Sequence, residues 1–107
     1  MNYYSFYPGD YARDTADLSW LEDLAYRRLL DHCYSTESHI PKNKERIYCI
    51  CKARTPEQRS AVDFVVTRFF EKNCTQYVNK RVASQLQKQQ IRIQRARENG
   101  LLGGGRK

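Results

Sequence analysis

A mainly α-helical domain with one small β-hairpin, an α+β chain, is the fold class this sequence predicts, and three observations predict it. Two capping boxes mark helix starts, Ser19 with Glu22 and Thr55 with Gln58. Behind each, apolar residues recur at the three- and four-residue spacing of a helix with one dry face. The stretch Phe70–Asn79 is aromatic and β-branched on both flanks, with Asn73 near its middle, and reads as two short strands around a turn. At 107 residues the chain can bury a single modest core.

The elements follow in order. Asn2–Tyr7 is dense in Tyr and Phe and reads as a short strand or extended arm against the core; the other use of such a cluster is to stack unpaired bases. Pro8-Gly9 breaks the chain, and Asp10–Asp17 follows as a short helical turn. Asp10, Asp14 and Asp17 fall on one face, a set able to hold a divalent cation for phosphoryl chemistry. Arg13 sits among them and no catalytic base accompanies them, so a solvated face is the expectation.

The central helix is expected from Trp20 to about Ser35. Ser19 is its N-cap, Leu18 its staple, and Leu21, Leu24, Ala25, Leu29 and Cys33 its core stripe. Asp23 with Arg27, and Arg27 with Asp31, are i,i+4 pairs on the wet side. Pro41 keeps Ile40 extended. A helix over Lys44–Ala53 buries Ile47, Ile50 and parts of Tyr48 and Cys51. Thr55, Pro56 and Gln58 restart the chain as N-cap, N1 and box partner of a helix carrying Val62, Val65, Val66, Phe69 and Phe70. After the hairpin, a last helix runs from Lys80 to Glu98, stopped by Asn99-Gly100. Helix, short strand, helix, helix, hairpin is a winged-helix-like body. The expected division is body 1–79, basic C-terminal helix 80–99 and a flexible Gly-rich tail 100–107.

Charge separates those parts. Residues 1–79 hold eleven basic and eleven acidic residues, whereas residues 80–107 hold eight basic residues against Glu98, so the entire net charge of +7 lies after Asn79. A neutral body with a basic extension suits DNA or another polyanion. Helix-turn-helix logic puts the helix from Pro56 in the major groove. Over Pro56–Glu71, however, Arg59 and Arg68 are outnumbered by Glu57, Asp63 and Glu71, a poor reading head. The expected nucleic-acid-binding residues are therefore Lys80, Arg81, Lys88, Arg92, Arg95 and Arg97 on the last helix, Lys72 in the hairpin, and a local cluster of Lys42, Lys44, Arg46, Lys52 and Arg54. Val82, Leu86, Gln89, Ile93 and Ala96 trace a seam on the last helix. Two uses fit that helix: self-association into a homodimer, or contact along phosphates.

No enzyme is expected, and no cofactor. Phosphate-loop, nucleophile-elbow and dinucleotide patterns do not occur. Cys33, Cys49, Cys51 and Cys74 lack metal spacing, because Cys49 and Cys51 in one helix point about 200° apart, so reduced and mostly buried thiols are expected and no metal. With no apolar run of about 18 residues, a membrane span is not expected, and a start without the basic-then-apolar plan of a secretion signal points to the cytoplasm.

The wording around the central helix carries a resemblance. Asn2-Tyr3-Tyr4, Gly9-Asp10-Tyr11, Leu18-Ser19-Trp20 with Glu22-Asp23, and Ala25-Tyr26-Arg27-Arg28-Leu29-Leu30-Asp31 resemble the YdaU-like family. Arg54-Thr55-Pro56-Glu57-Gln58-Arg59, Lys80-Arg81, Ala96-Arg97 and Asn99-Gly100 with the glycine-rich tail fit the same pattern. The resemblance implies a phage or prophage domain found at the N-terminus of replication-initiation-like proteins in a bacterial host cell. It implies no catalytic residues. Together with the charge it leads to the expectation of a DNA-replication accessory that binds DNA non-specifically and positions a phage or host replication protein. The alternative is a protein-interaction module, or a small phage-encoded inhibitor, that docks a host or replication protein without binding DNA. A third use, a nuclease built on Asp10, Asp14 and Asp17, is the least supported.

Overall fold

The computed structural model describes residues 7–104, with side chains from Tyr7 to Glu98. The reading of Asn2–Tyr7 as an arm therefore lies almost wholly outside the described residues. The element order is α1 (Pro8–Asp14), α2 (Trp20–Thr36), β1 (Ile40–Pro41), α3 (Lys44–Cys51), α4 (Pro56–Phe69), β2 (Glu71–Lys72), β3 (Gln76–Val78) and α5 (Lys80–Gly104). The fold is mainly helical with a small antiparallel sheet of three strands in the order β1-β3-β2.

Local chemistry explains most boundaries. Ser19 Oγ accepts from the Glu22 amide while Glu22 accepts from the Ser19 amide, closing the expected box at 3.3 and 3.0 Å. Thr55 and Gln58 do the same at the start of α4, and the Gln58 side chain takes the Arg54 amide as well. Asn43 caps α3 by accepting from the Arg46 amide. The Asn73 side chain accepts from the amides of Thr75 and Gln76, which sets the hairpin turn. Such caps are each worth about 1 kcal/mol.

The core is built on the middle of α2. Ala25, Tyr26, Leu29, Leu30, Cys33 and Tyr34 are buried against Val62, Val65 and Val66 of α4, Ile47, Tyr48 and Cys51 of α3, and Ile40, Phe70 and Val82. Tyr26 is stacked between Tyr11 and Phe69, at centroid distances of 5.8 and 4.2 Å, which ties α1 and α4 to α2.

Four details differ from the sequence expectations. The dry face of α2 is rotated: Trp20 is 94% exposed and Leu21 and Leu24 are exposed, while Tyr26, Leu30 and Tyr34 take the burial. Two apolar stripes overlap on α2, and the positions of α3 and α4 select the second. Pro8 starts α1 rather than breaking the chain before it, since proline at the first helical position gives up no hydrogen bond. Helix α3 stops at Cys51, because Lys52 adopts the left-handed conformation (φ 59°). Helix α5 continues through Gly100 to Gly104; a glycine inside a helix costs about 1 kcal/mol and does not forbid it.

Candidate nucleic-acid interface

Asn79 fixes where α5 begins. Its Oδ1 accepts from the Val82 amide, which is an N-cap geometry, and its amide nitrogen donates to the Phe69 carbonyl and to the Tyr26 hydroxyl. Val82 is buried and Leu86 packs on the core, so the first turns of α5 belong to the body. From Ile91 to Glu98 every side chain is exposed. The stretch Ile91–Gly104 extends roughly 20 Å at the helical rise, and the long axis of the molecule reaches 61 Å.

The cations of α5 do not form one patch. Lys88, Arg92 and Arg95 lie at i, i+4 and i+7 and share a face, all exposed. Arg97 falls on the opposite side of the helix. Arg81 also shares the Lys88 face by spacing, but its guanidinium is bound to Asp14 at 2.5 Å and is largely withdrawn from solvent. Lys80 lies 3.9 Å from Glu71, both highly exposed, a screened pair of little energetic weight.

The second expected cluster is divided. Lys42 donates to the Cys74 carbonyl at 3.1 Å, joining the end of β1 to the hairpin turn. Lys44 and Arg46 are exposed on the first turn of α3, whereas Lys52 and Arg54 are exposed beyond its other end. Lys72 is exposed on strand β2. On α4, Arg59 lies over the Tyr48 ring and 3.8 Å from Glu45, and Arg68 binds Asp17 at 2.7 Å. Both arginines of the nominal reading helix are thus engaged within the body.

The aspartates near the start serve the same internal use. Asp10 pairs with Arg13, Asp14 with Arg81 and Asp17 with Arg68. The Arg68 guanidinium holds the Asp17 carboxyl below its ordinary range. Asp23 accepts the Tyr11 hydroxyl at 2.5 Å, and Arg27 pairs with Asp31 at 3.4 Å. Among the described residues no three His, Cys, Asp or Glu side chains converge in a metal-binding arrangement.

Cys33 and Cys51 are buried and Cys49 and Cys74 exposed, all free. Burial pushes the Cys33 and Cys51 thiols up to about 12, which leaves them inert as nucleophiles.

Two surface features carry no sequence signal strong enough to single them out. One is the exposed Trp20, Leu21 and Leu24 on the first turns of α2. The other is a groove of about 900 Å3 between the end of α2, β1, α3 and the hairpin turn, bordered by His32, His39, Asn43, Arg46 and Gln76. Its residues come from four separate segments, so no local pattern announces it.

Fold and surface thus define a small, mainly helical domain with a three-stranded sheet and a long projecting last helix. Residues 2–87 match the family described as protein of unknown function (DUF1376), and the chain belongs to that family. No curated protein and no solved structure matches it. The family match ends within α5, close to where its side chains leave the core. No helix among the described residues is long and apolar enough to cross a membrane.

Proposed function

We propose that this chain is an accessory domain of phage or prophage DNA replication, which binds DNA without sequence preference along α5 and positions a partner protein. The observation that carries the reading is the row Lys88, Arg92 and Arg95, exposed on one face of a helix that has left the body. A helix of this kind can lie along phosphates, and phosphate contacts by themselves give affinity without base discrimination.

A winged-helix-like body is part of the reading. Its support is the element order, with β1 added to the β2–β3 hairpin beside α2, α3 and α4. In that layout α4 would be the reading helix, but its arginines are engaged with Glu45, Tyr48 and Asp17, so α4 acts as a core wall and α5 meets the DNA. The phage setting, in the cytoplasm of a bacterial host, rests on the YdaU-like resemblance. Self-association through α5 has less surface to work with, since Val82 and Leu86 are already covered by the body and Ile93 remains exposed on an arm that carries the same charge in both copies.

Anisotropy titrations of the full chain with labelled duplexes of unrelated sequence test the reading. Equal affinity across sequences, falling steeply with salt, is expected; a strong preference for one sequence, or no binding at low salt, overturns it.

The second reading, a protein-interaction module or small inhibitor that docks a host or replication protein without DNA, has one observation in its favour. Trp20 is 94% exposed, beside the exposed Leu21 and Leu24, and tryptophan is a frequent anchor of protein interfaces.

A further inference from the structure

We infer that the groove beside β1 takes an extended single strand of nucleic acid, on a different face of the molecule from the Lys88–Arg92–Arg95 row. The inference rests on the nucleic-acid reading above and adds a second, strand-selective site to it. Two neighbouring concavities make the groove, and they share the wall residues Ser38, His39 and Gln76. The larger, about 900 Å3, runs from Asn43 and Arg46 to Ser38, His39 and Gln76. The smaller, about 410 Å3, starts from the same Ser38, His39 and Gln76 and reaches Leu86, Gln87 and Gln90 of α5.

The lining has the chemistry that unpaired nucleotides need. Gln87 and Gln90 continue on the same side of α5 to Gln94 and then Arg97, at steps of three, four and three residues. This row is well away from the Lys88 face. It holds three of the five glutamines of α5, Gln85 and Gln89 lying off it by helical spacing. Amide side chains pair with base edges in both directions, as donor and acceptor. Arg46 stands at one end of the path and Arg97 at the other, placed to meet phosphates.

Imidazoles occupy the middle. His39 borders both concavities, and its Nδ1 is buried with no hydrogen-bond partner among the described residues. Such an orphaned acceptor or donor is costly unless a ligand or water completes it. His32 lines the larger concavity beside Ile50 and Pro41, giving flat and apolar surface for a base to stack on. Three carboxylates stand along the path: Glu45, which lies 3.8 Å from Arg59, Glu37, and Glu98, which accepts from the Gln94 amide nitrogen at 3.4 Å. A cleft of this size has room for a few unstacked nucleotides and none for a duplex.

The full-length chain is titrated with a short labelled DNA strand, the same sequence as RNA, and the matching duplex. Gln87→Ala combined with Gln90→Ala, both uncharged and at exposed positions, should weaken the single strands about tenfold through the loss of base contacts, and leave the duplex unchanged. The DNA and RNA arms decide which strand the groove favours, and tight binding of either supports the inference. Unchanged single-strand affinity, or an equal loss for strand and duplex, overturns it. The row variant Lys88→Gln/Arg92→Gln/Arg95→Gln should instead lose the duplex, which separates failure of the α5 reading from failure of the groove. In the unaltered protein, Cys49 lines the groove and is exposed, so the single strand should slow its alkylation; an unaltered rate also overturns the inference.

Discussion

Asn79 and Tyr26 meet inside the body, amide nitrogen to hydroxyl oxygen at 3.3 Å, and this contact joins the central helix to the helix that leaves the domain. The same Asn79 caps α5 at the Val82 amide and donates to the Phe69 carbonyl at 2.9 Å. One buried side chain therefore sets the starting point of α5 and holds it against α2 and α4. Asn79→Ala removes the cap and leaves the part-buried Phe69 carbonyl without this donor. A loss of about 1–3 kcal/mol in urea unfolding is expected. A loss within experimental scatter would show that α5 is held by Val82 and Leu86 alone.

Trp20 is the only tryptophan, so its fluorescence reports one site. With 94% of its surface exposed, its emission should sit at the long wavelength of indole in water and be quenched readily by acrylamide. Trp20→Ala should change stability by less than about 0.5 kcal/mol, the range of surface substitutions. A blue-shifted, protected emission in the dilute protein would place the indole in a core or an interface instead.

His32 makes stability depend on pH in a defined direction. Burial, and then the Arg46 charge, hold its imidazole below the ordinary value of 6.5. In the unfolded chain the ring keeps that ordinary value, so on acidification the unfolded state takes up the proton first. Stability should therefore be level above the ordinary value and decline as pH falls from about 6.5 toward the lower folded value. Urea midpoints across this range should show the decline, and His32→Gln should flatten it; an unchanged slope in that variant would assign the effect elsewhere.

The sequence was most legible where the physics is local. Both capping boxes, the Asn73 turn and the extended Ile40-Pro41 follow from side chains within a few residues of the backbone they serve. The rotation of α2 was not legible, because Leu21 and Leu24 match the helical period as well as Tyr26 and Leu30 do. Only the placement of α3 and α4 decides between them. Charge was legible as a total but not by use. Arg81 and Arg68 look like the other cations in sequence, yet their partners Asp14 and Asp17 lie 67 and 51 residues away along the chain. The groove at His39 is assembled from α2, β1, α3 and the hairpin turn, and nothing in a single segment foretells it.

The central claim is that DNA meets the row Lys88, Arg92 and Arg95. The most direct test is the salt dependence of duplex binding by the full chain and by its Lys88→Gln/Arg92→Gln/Arg95→Gln variant. Each lost phosphate contact should lower the steepness of log affinity against log salt by about 0.9, so the variant's slope should be shallower by about 3 and its affinity much weaker at low salt. An equal slope and equal affinity for the two proteins would contradict the account.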